Sequence, residues 1–189
     1  MVIGPLVAAL GFALFAVPSV GGSYWKAFFP AVVVLGFGMA VTVAPLTTVV
    51  MSSVDPDRAG TASGINNAVA RVAGVLAIAV LGIVMVDAFG SRLNHVLGYL
   101  SLPSDTLHAV QSEERKLAGM QVPGSLDPRT TAAIKEAIRQ AFVFGFRIVM
   151  LICAGLSVAS AAVAKLMLPK AAQTFNASVA SANASKDSG

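Results

Sequence analysis

The chain has 189 residues, of which 56% are hydrophobic and 12% are charged; the net charge is +4 and the mean hydropathy is +0.79. A soluble domain carries about 25% charged residues, so this composition excludes an ordinary soluble protein and favours one built for a lipid bilayer. The basic residues are scattered and do not alternate with aromatic residues, which argues against a nucleic-acid partner.

Four apolar segments predict an all-α, polytopic membrane protein with four transmembrane helices, at about residues 2–17, 27–51, 59–86 and 141–168. The first segment is short for a span and lacks the basic start of a signal peptide, so we interpret it as a truncated membrane helix. Residues 1–170 are expected to form one domain. The polar tail, residues 171–189, has too little apolar surface to fold alone and is predicted to be disordered.

Aromatic and basic side chains mark the ends of the predicted spans. Tyr24 and Trp25 precede the second span, as aromatic residues do at the lipid headgroup boundary. Arg147 and Lys165 are separated by about 27 Å of helix and bracket a nearly ideal span. These four residues are predicted to be interface anchors.

The third span carries polar side chains that are candidates for function. Asn67 and Arg71 are one helical turn apart and share a face, with Asn66 beside them. Arg71 lies only about 6 Å inside the apolar core, within snorkelling reach of the lipid headgroups. It could equally line a polar cavity or a helix interface in a larger bundle, because ionisable groups within spans are commonly functional.

Small residues recur every four positions on the third span and predict close packing against other helices. Gly60, Gly64 and Ala68 form one stripe, and Ala70 and Gly74 form another. The second span contains Pro30 and Pro45, with Thr42 between them, and such broken helices are frequent in transporters. Thr42 and Pro45 therefore join the candidates for a substrate cavity or helix interface.

The connection of residues 87–140 holds most of the charge and is predicted to lie outside the membrane and to be partly helical. One short helix is expected from Ser104, with Gly119 closing it. A second is expected where Asp127 supplies a helix cap and Pro128 the first turn, followed by apolar residues at helical spacing. Those apolar residues are Ile134, Ala137, Ile138 and Ala141.

No motif indicates enzyme chemistry. The two histidines, His95 and His108, do not have metal-ligand spacing, so no catalytic residue, metal site or cofactor is predicted. The spans contain no acidic residue, whereas proton-coupled transport usually needs a membrane-embedded carboxylate or histidine. The chain is therefore not expected to couple to protons on its own.

Motifs in the second and third spans resemble a known transporter family. They are Pro45-Leu46-Thr47-Thr48, Arg58-Ala59-Gly60, the run from Ala62 to Ala68, and the run from Arg71 to Gly82. The pattern resembles the end of the fourteen-span drug:proton antiporters of the major facilitator superfamily, over residues 1–168. The resemblance implies that the four spans are the last helices of the carboxyl-terminal bundle, with residues 51–58 and the tail in the cytoplasm and residues 87–140 outside.

The size of the chain differs from that family, because about ten spans, the antiporter motif and the proton-coupling carboxylates have no counterpart here. We therefore predict a carboxyl-terminal fragment of a multidrug efflux permease of the plasma membrane. Small hydrophobic or cationic substrates would be exported by proton antiport only together with the remaining helices of the transporter. The alternatives are a small oligomeric four-span transporter and a non-transporting membrane scaffold.

Overall fold

A computed structural model describes residues 2–17, 25, 28–52, 54–100, 102–120 and 126–186; the side chains of residues 44–52, 56, 114 and 167–186 are outside this description. The described residues form helices and no strand, in agreement with the predicted all-α class. The α-helices, in chain order, are α1 (Ile3–Ala16), α2 (Phe29–Ser52), α3 (Ala59–Leu97), α4 (Ser104–Ser112) and α5 (Pro128–Lys186). Short 3₁₀ helices, Pro56–Arg58 and Glu114–Gly119, precede α3 and follow α4.

Two of the described helices are long and apolar enough to cross a membrane, namely α3 and the Pro128–Leu166 part of α5. Each of these stretches has 39 residues and is about 58 Å long, so it would project well beyond a hydrocarbon core of about 30 Å. The shorter apolar helices are α1 and the Phe29–Val43 part of α2. The two long helices support a membrane protein, and the four crossings stay a prediction.

Both long helices extend past the expected ends of their spans. Helix α3 continues beyond residue 86 to Leu97, because Phe89, Leu93 and Leu97 recur one turn apart and are all buried. Helix α5 continues past Pro169, where we expected it to stop, and its backbone is helical to Lys186. Alanine, the strongest helix former, is frequent in the segment after the proline and favours the helical backbone there.

Helices α1 and α2 cross at very short distance on small residues. A Cβ atom added to Gly38 of α2 would lie 2.4 Å from the backbone nitrogen of Ala8, and one added to Gly11 of α1 would lie 2.7 Å from Cα of Leu35. At Gly4 the added atom would meet the Thr42 hydroxyl at 2.4 Å. Glycine is therefore required at these three positions for the two backbones to approach so closely.

The remaining packing places the helices in a row. Helix α1 packs against both α2 and α5, and α5 in turn packs against α3. At the α3–α5 contact a Cβ atom added to Gly145 would lie 3.0 Å from the sulfur of Met85, so this crossing is also close. The amino-terminal part of α3, by contrast, is exposed along nearly its whole length.

A small helical unit, which we call the cap, forms where α3 and α5 extend beyond the predicted membrane region. It comprises the end of α3, helix α4, the 3₁₀ helix Glu114–Gly119 and the start of α5. Its hydrophobic core consists of Phe89, Leu93, Leu97, Val110, Met120, Ile134, Ala137, Ile138 and Ala141. The long polar connection therefore carries a packed core of its own.

Candidate functional site

The predicted polar residues of α3 lie on the part of the helix that makes little contact with the rest of the described chain. Asn67 and Arg71 are exposed, and Asn66 is half-buried. An 18-residue apolar stretch of α3 is entirely unburied within the chain. The helix therefore presents Asn67 and Arg71 on an open face, accessible to lipid or to a further helix.

A shallow groove of about 420 Å³ lies just before these residues, at the start of α3. It is lined by Val54, Arg58, Thr61, Ala62 and Ile65. Arg58, Ala62 and Asn66 succeed one another at four-residue spacing, so the groove and Asn66 share one side of the helix. Its polar lining is limited to Arg58 and Thr61, which is too little to define a ligand.

Thr42 of the second span lies at a helix interface, the crossing of α1 and α2. Its hydroxyl donates a hydrogen bond of 2.7 Å to the carbonyl oxygen of Gly38, and the residue faces Gly4 at the α1–α2 crossing. No hydrogen bond in the described part of the chain joins Thr42 to Asn67 or Arg71. The structure thus gives Thr42 a packing position between α1 and α2, while the side chain of Pro45 lies outside the described residues.

The small-residue stripe of α3 has no partner among the described residues. Cβ atoms added to Gly60, Gly64 or Gly74 would meet nothing within 4 Å, and Ala68 is exposed. The close contacts form instead at Gly4, Gly11, Gly38 and Gly145, which the sequence interpretation did not select. The spacing of Gly4, Ala8 and Gly11 along one face of α1 was the available signal.

The proposed interface anchors differ in how exposed they are to solvent. Trp25 is 70% exposed and its ring stacks at an angle on Phe29, with centroids 5.2 Å apart. Arg147 is half-buried on α5 and Lys165 is exposed. Tyr24 lies outside the described residues. Their anchoring role stays a prediction.

Polar contacts in the cap hold its helices in place. The amide nitrogen of Gln111 on α4 donates a 2.8 Å hydrogen bond to the side-chain oxygen of Asn94 on α3. The guanidinium of Arg92 lies 5.6 Å from the ring centroid of Phe144, a cation–π contact between α3 and α5. The first contact thus joins α4 to α3, and the second joins α3 to α5.

The start of α5 is stabilised by carboxylates. The Asp127 carboxylate accepts hydrogen bonds from the Thr130 side chain and from the backbone N–H groups of Thr130 and Arg129, and these bonds lower its pKa below the ordinary value. Further along, Glu136 accepts from Gln140 and pairs with Arg139, which lowers the pKa of Glu136 in the same way. Asp127 is exposed and Glu136 is partly exposed, so water screens both carboxylates and their effect is local.

The comparisons with known proteins give one informative likeness. The chain is 28% identical over 134 residues to the tetracenomycin C resistance and export protein of Streptomyces glaucescens. The aligned region covers 70% of this chain and 25% of that protein, so the chain spans about a quarter of the length of this relative. No protein-family model matches the chain, and no solved structure is similar to it.

The likeness supports a transporter family. It agrees with the two long apolar helices, and a relative named as an export protein favours a transporter over an enzyme. At this identity and coverage it does not extend to a particular branch of transporters, to a substrate or to the coupling ion.

Proposed function

We propose that the chain forms one membrane-embedded part of an exporter of small molecules. The observation that carries the proposal is the 28% identity over 134 residues to a resistance and export protein. Because that protein is about four times as long as the aligned region, the chain corresponds to a portion of such a transporter. Its substrates would be small hydrophobic or cationic compounds, of the kind that multidrug exporters carry.

The packing of α3 supports dependence on further helices. Its apolar amino-terminal part is unburied within the chain, yet it displays Asn67, Arg71 and a stripe of glycines. Small residues at four-residue spacing allow helices to approach closely in a membrane, and polar side chains there commonly bond across a helix interface. We infer that helices outside the chain cover this face in the working transporter.

The finer mechanism follows the family resemblance. The four apolar helices would be the last four of a fourteen-span major facilitator drug:proton antiporter of the plasma membrane, with the cap outside and the tail in the cytoplasm. The apolar segments carry no acidic residue, so the proton-coupling carboxylate would come from helices outside this chain. A substrate cavity between two helical halves likewise needs the other half.

A transport assay tests dependence on further helices. The chain alone is expressed in an efflux-deficient bacterial host, and export of a fluorescent cationic dye is measured with an imposed pH gradient. We expect membrane-inserted protein and dye export equal to that of a vector control. Robust proton-driven export by the chain alone would contradict the proposal and would favour a small oligomeric transporter.

The gene offers a direct check. If the chain is part of a longer exporter, the DNA before the codon for Met1 should continue an open reading frame that encodes further apolar segments. A stop codon immediately upstream, together with membrane insertion of the chain alone, would favour the scaffold alternative.

A substitution at Arg71 distinguishes a functional role of this residue from simple snorkelling to the lipid headgroups. In the complete exporter, Arg71→Ala should reduce transport by about tenfold or more at unchanged membrane abundance, because an interhelical or cavity charge would be lost. Lys165→Ala, which removes a basic residue at a predicted membrane boundary, is the matched control and should leave transport nearly unchanged. Equal transport by wild type and Arg71→Ala would assign Arg71 to the headgroup region.

A further inference from the structure

A second groove lies on α3 where its apolar run meets the cap, and it has a volume of about 530 Å³. The apolar lining comes from α3 alone and consists of Ile78, Ala79, Gly82, Ile83 and Val86. Two charged residues also line the groove. They are Asp87 on α3 and Arg115 in the 3₁₀ helix of the cap. The groove therefore combines an apolar wall with one acidic and one basic group.

Gly82 lies in the middle of the groove and leaves it open. A Cβ atom added to Gly82 would meet nothing within 4 Å, so the space above this residue is open within the described chain. Asp87 and Arg115 are both exposed. The ion pairs among the described residues join Lys116 to Glu113 and Arg139 to Glu136, so neither groove charge is engaged in them.

The order of residues along α3 matches the order of groups in a phospholipid. Residues 78–86 end the apolar run and, at 1.5 Å per residue, cover about 12 Å of acyl chain. Asp87 is the first charged residue after this run, so it lies at the level of the headgroups when α3 crosses a bilayer. Asp87 thus stands at the level of the lipid headgroup and the apolar wall at the level of the acyl chain, and Arg115 lines the same groove.

We propose that this groove binds one phospholipid with a primary-ammonium headgroup, phosphatidylethanolamine. The guanidinium of Arg115 pairs with the phosphate, a pairing that suits the planar donor fork of arginine. The Asp87 carboxylate accepts hydrogen bonds from the ammonium group, and an acyl chain lies over Gly82. Phosphatidylcholine has no N–H to donate and phosphatidylglycerol has no cation, so Asp87 distinguishes this lipid from both. The proposal requires α3 to lie in a bilayer and does not depend on export.

Native mass spectrometry of the purified chain in detergent tests the headgroup. The protein is titrated with phosphatidylethanolamine, phosphatidylcholine and phosphatidylglycerol that carry identical acyl chains. We expect phosphatidylethanolamine to bind about fivefold more tightly than the other two lipids, the effect of one partly exposed charged contact. Asp87→Asn should remove this preference, and Arg115→Gln should weaken binding of all three lipids.

Matched charge controls lie elsewhere on the cap. Asp105→Asn and Arg129→Gln remove the same charges from exposed positions outside the groove, and lipid binding should stay at the wild-type level. A preference for phosphatidylethanolamine that survives Asp87→Asn would overturn the proposal, as would equal binding of the three lipids by the wild-type chain.

Substitutions at two glycines of α3 test where the acyl chain of the lipid binds. Gly82→Leu should fill the groove and weaken binding of every lipid by about tenfold. Gly74→Leu adds the same side chain to another position on α3 that has no neighbour within 4 Å, and it should have no effect. Because both sites are open, both variants should retain the wild-type circular dichroism spectrum. Unchanged lipid binding by Gly82→Leu would overturn the proposal and indicate that another protein segment occupies the groove.

Discussion

At the residue scale, the start of α5 shows how a short motif determines local structure. The Asp127-Pro128 pair predicted a helix beginning, and α5 begins at Pro128 with the Asp127 carboxylate bonded to the backbone N–H groups of Arg129 and Thr130. Such local interactions are readable from sequence because all the partners lie within one turn. Arg71 is different, because its role depends on what covers a helix face, and sequence alone left snorkelling and a helix interface as equal alternatives.

The capping aspartate makes the first turn of α5 sensitive to acid. The pKa of Asp127 is lower in the folded chain than in an unfolded one, so its stabilising effect is complete above the unfolded pKa, about 4, and is lost as the pH falls through the folded value. We expect amide exchange in residues 129–132, corrected for intrinsic rates, to accelerate as the pH falls below about 4.

Two variants at this position separate charge from capping. Asp127→Asn should keep the cap and lose the acid dependence, since asparagine is an equally good capping residue. Asp127→Ala should show fast exchange at every pH. Identical pH profiles for the wild type and Asp127→Asn would contradict the assignment.

At the element scale, two helices of this chain approach closely where a glycine on one faces the backbone of the other. Gly4, Gly11 and Gly38 lie in the α1–α2 crossing, whereas Gly60, Gly64 and Gly74, which the sequence pattern selected, face open space within the described chain. Small residues recur about once per turn in both α1 (Gly4, Ala8, Gly11) and α3 (Gly60, Gly64, Ala68), so the pattern indicates a capacity for close approach without identifying the partner helix. Whether the α3 glycines pack against a further helix stays a prediction.

The α1–α2 crossing can be tested with two glycines of one helix. Gly38→Val should force α1 and α2 apart and destabilise the protein by about 1–3 kcal/mol, because a side chain there would overlap the backbone of Ala8. Gly36→Val, two residues away, meets nothing within 4 Å and should be close to neutral. The comparison is made by thermal denaturation in detergent. Equal melting temperatures would show that the helices do not cross as described.

The cap should behave as a cooperative packed unit. Phe89 is fully buried in its core, so Phe89→Ala should cost about 3–5 kcal/mol and raise hydrogen exchange across α4 and the start of α5. Tyr99→Ala changes a side chain that is 77% exposed and should have little effect. Wild-type exchange in α4 of the Phe89→Ala protein would mean that the cap core does not hold α4 in place.

At the scale of the whole molecule, the proposed topology has α3 and α5 crossing the bilayer, with the cap joining them on one side. The row of contacts from α2 through α1 and α5 to α3 leaves the amino-terminal part of α3 unpartnered within the described chain. A helix that is hydrophobic and exposed in this way requires lipid or another helix around it. In the proposed exporter, helices outside the chain would cover this face, whereas in the chain alone lipid would surround it.

Cysteine labelling tests the proposed topology. After Cys153 is replaced by serine, single cysteines are introduced as Asp105→Cys in α4 and Asp57→Cys before α3. In intact cells a membrane-impermeant maleimide should label position 105 only, and position 57 should react after permeabilisation. Labelling of both positions in intact cells would show that α3 does not span, and labelling of position 57 alone would reverse the orientation.

The sequence by itself determined the all-helical class, the apolar segments and the beginning of α5, because hydropathy, helical periodicity and capping act over one or a few turns. It also predicted the apolar positions Ile134, Ala137, Ile138 and Ala141, which the structure buries in the cap. Only the tertiary structure decided that α3 extends into a packed cap, that Thr42 faces α1, and that a groove opens at Gly82. These features depend on which helix lies opposite a given face, and residues distant in sequence set that arrangement.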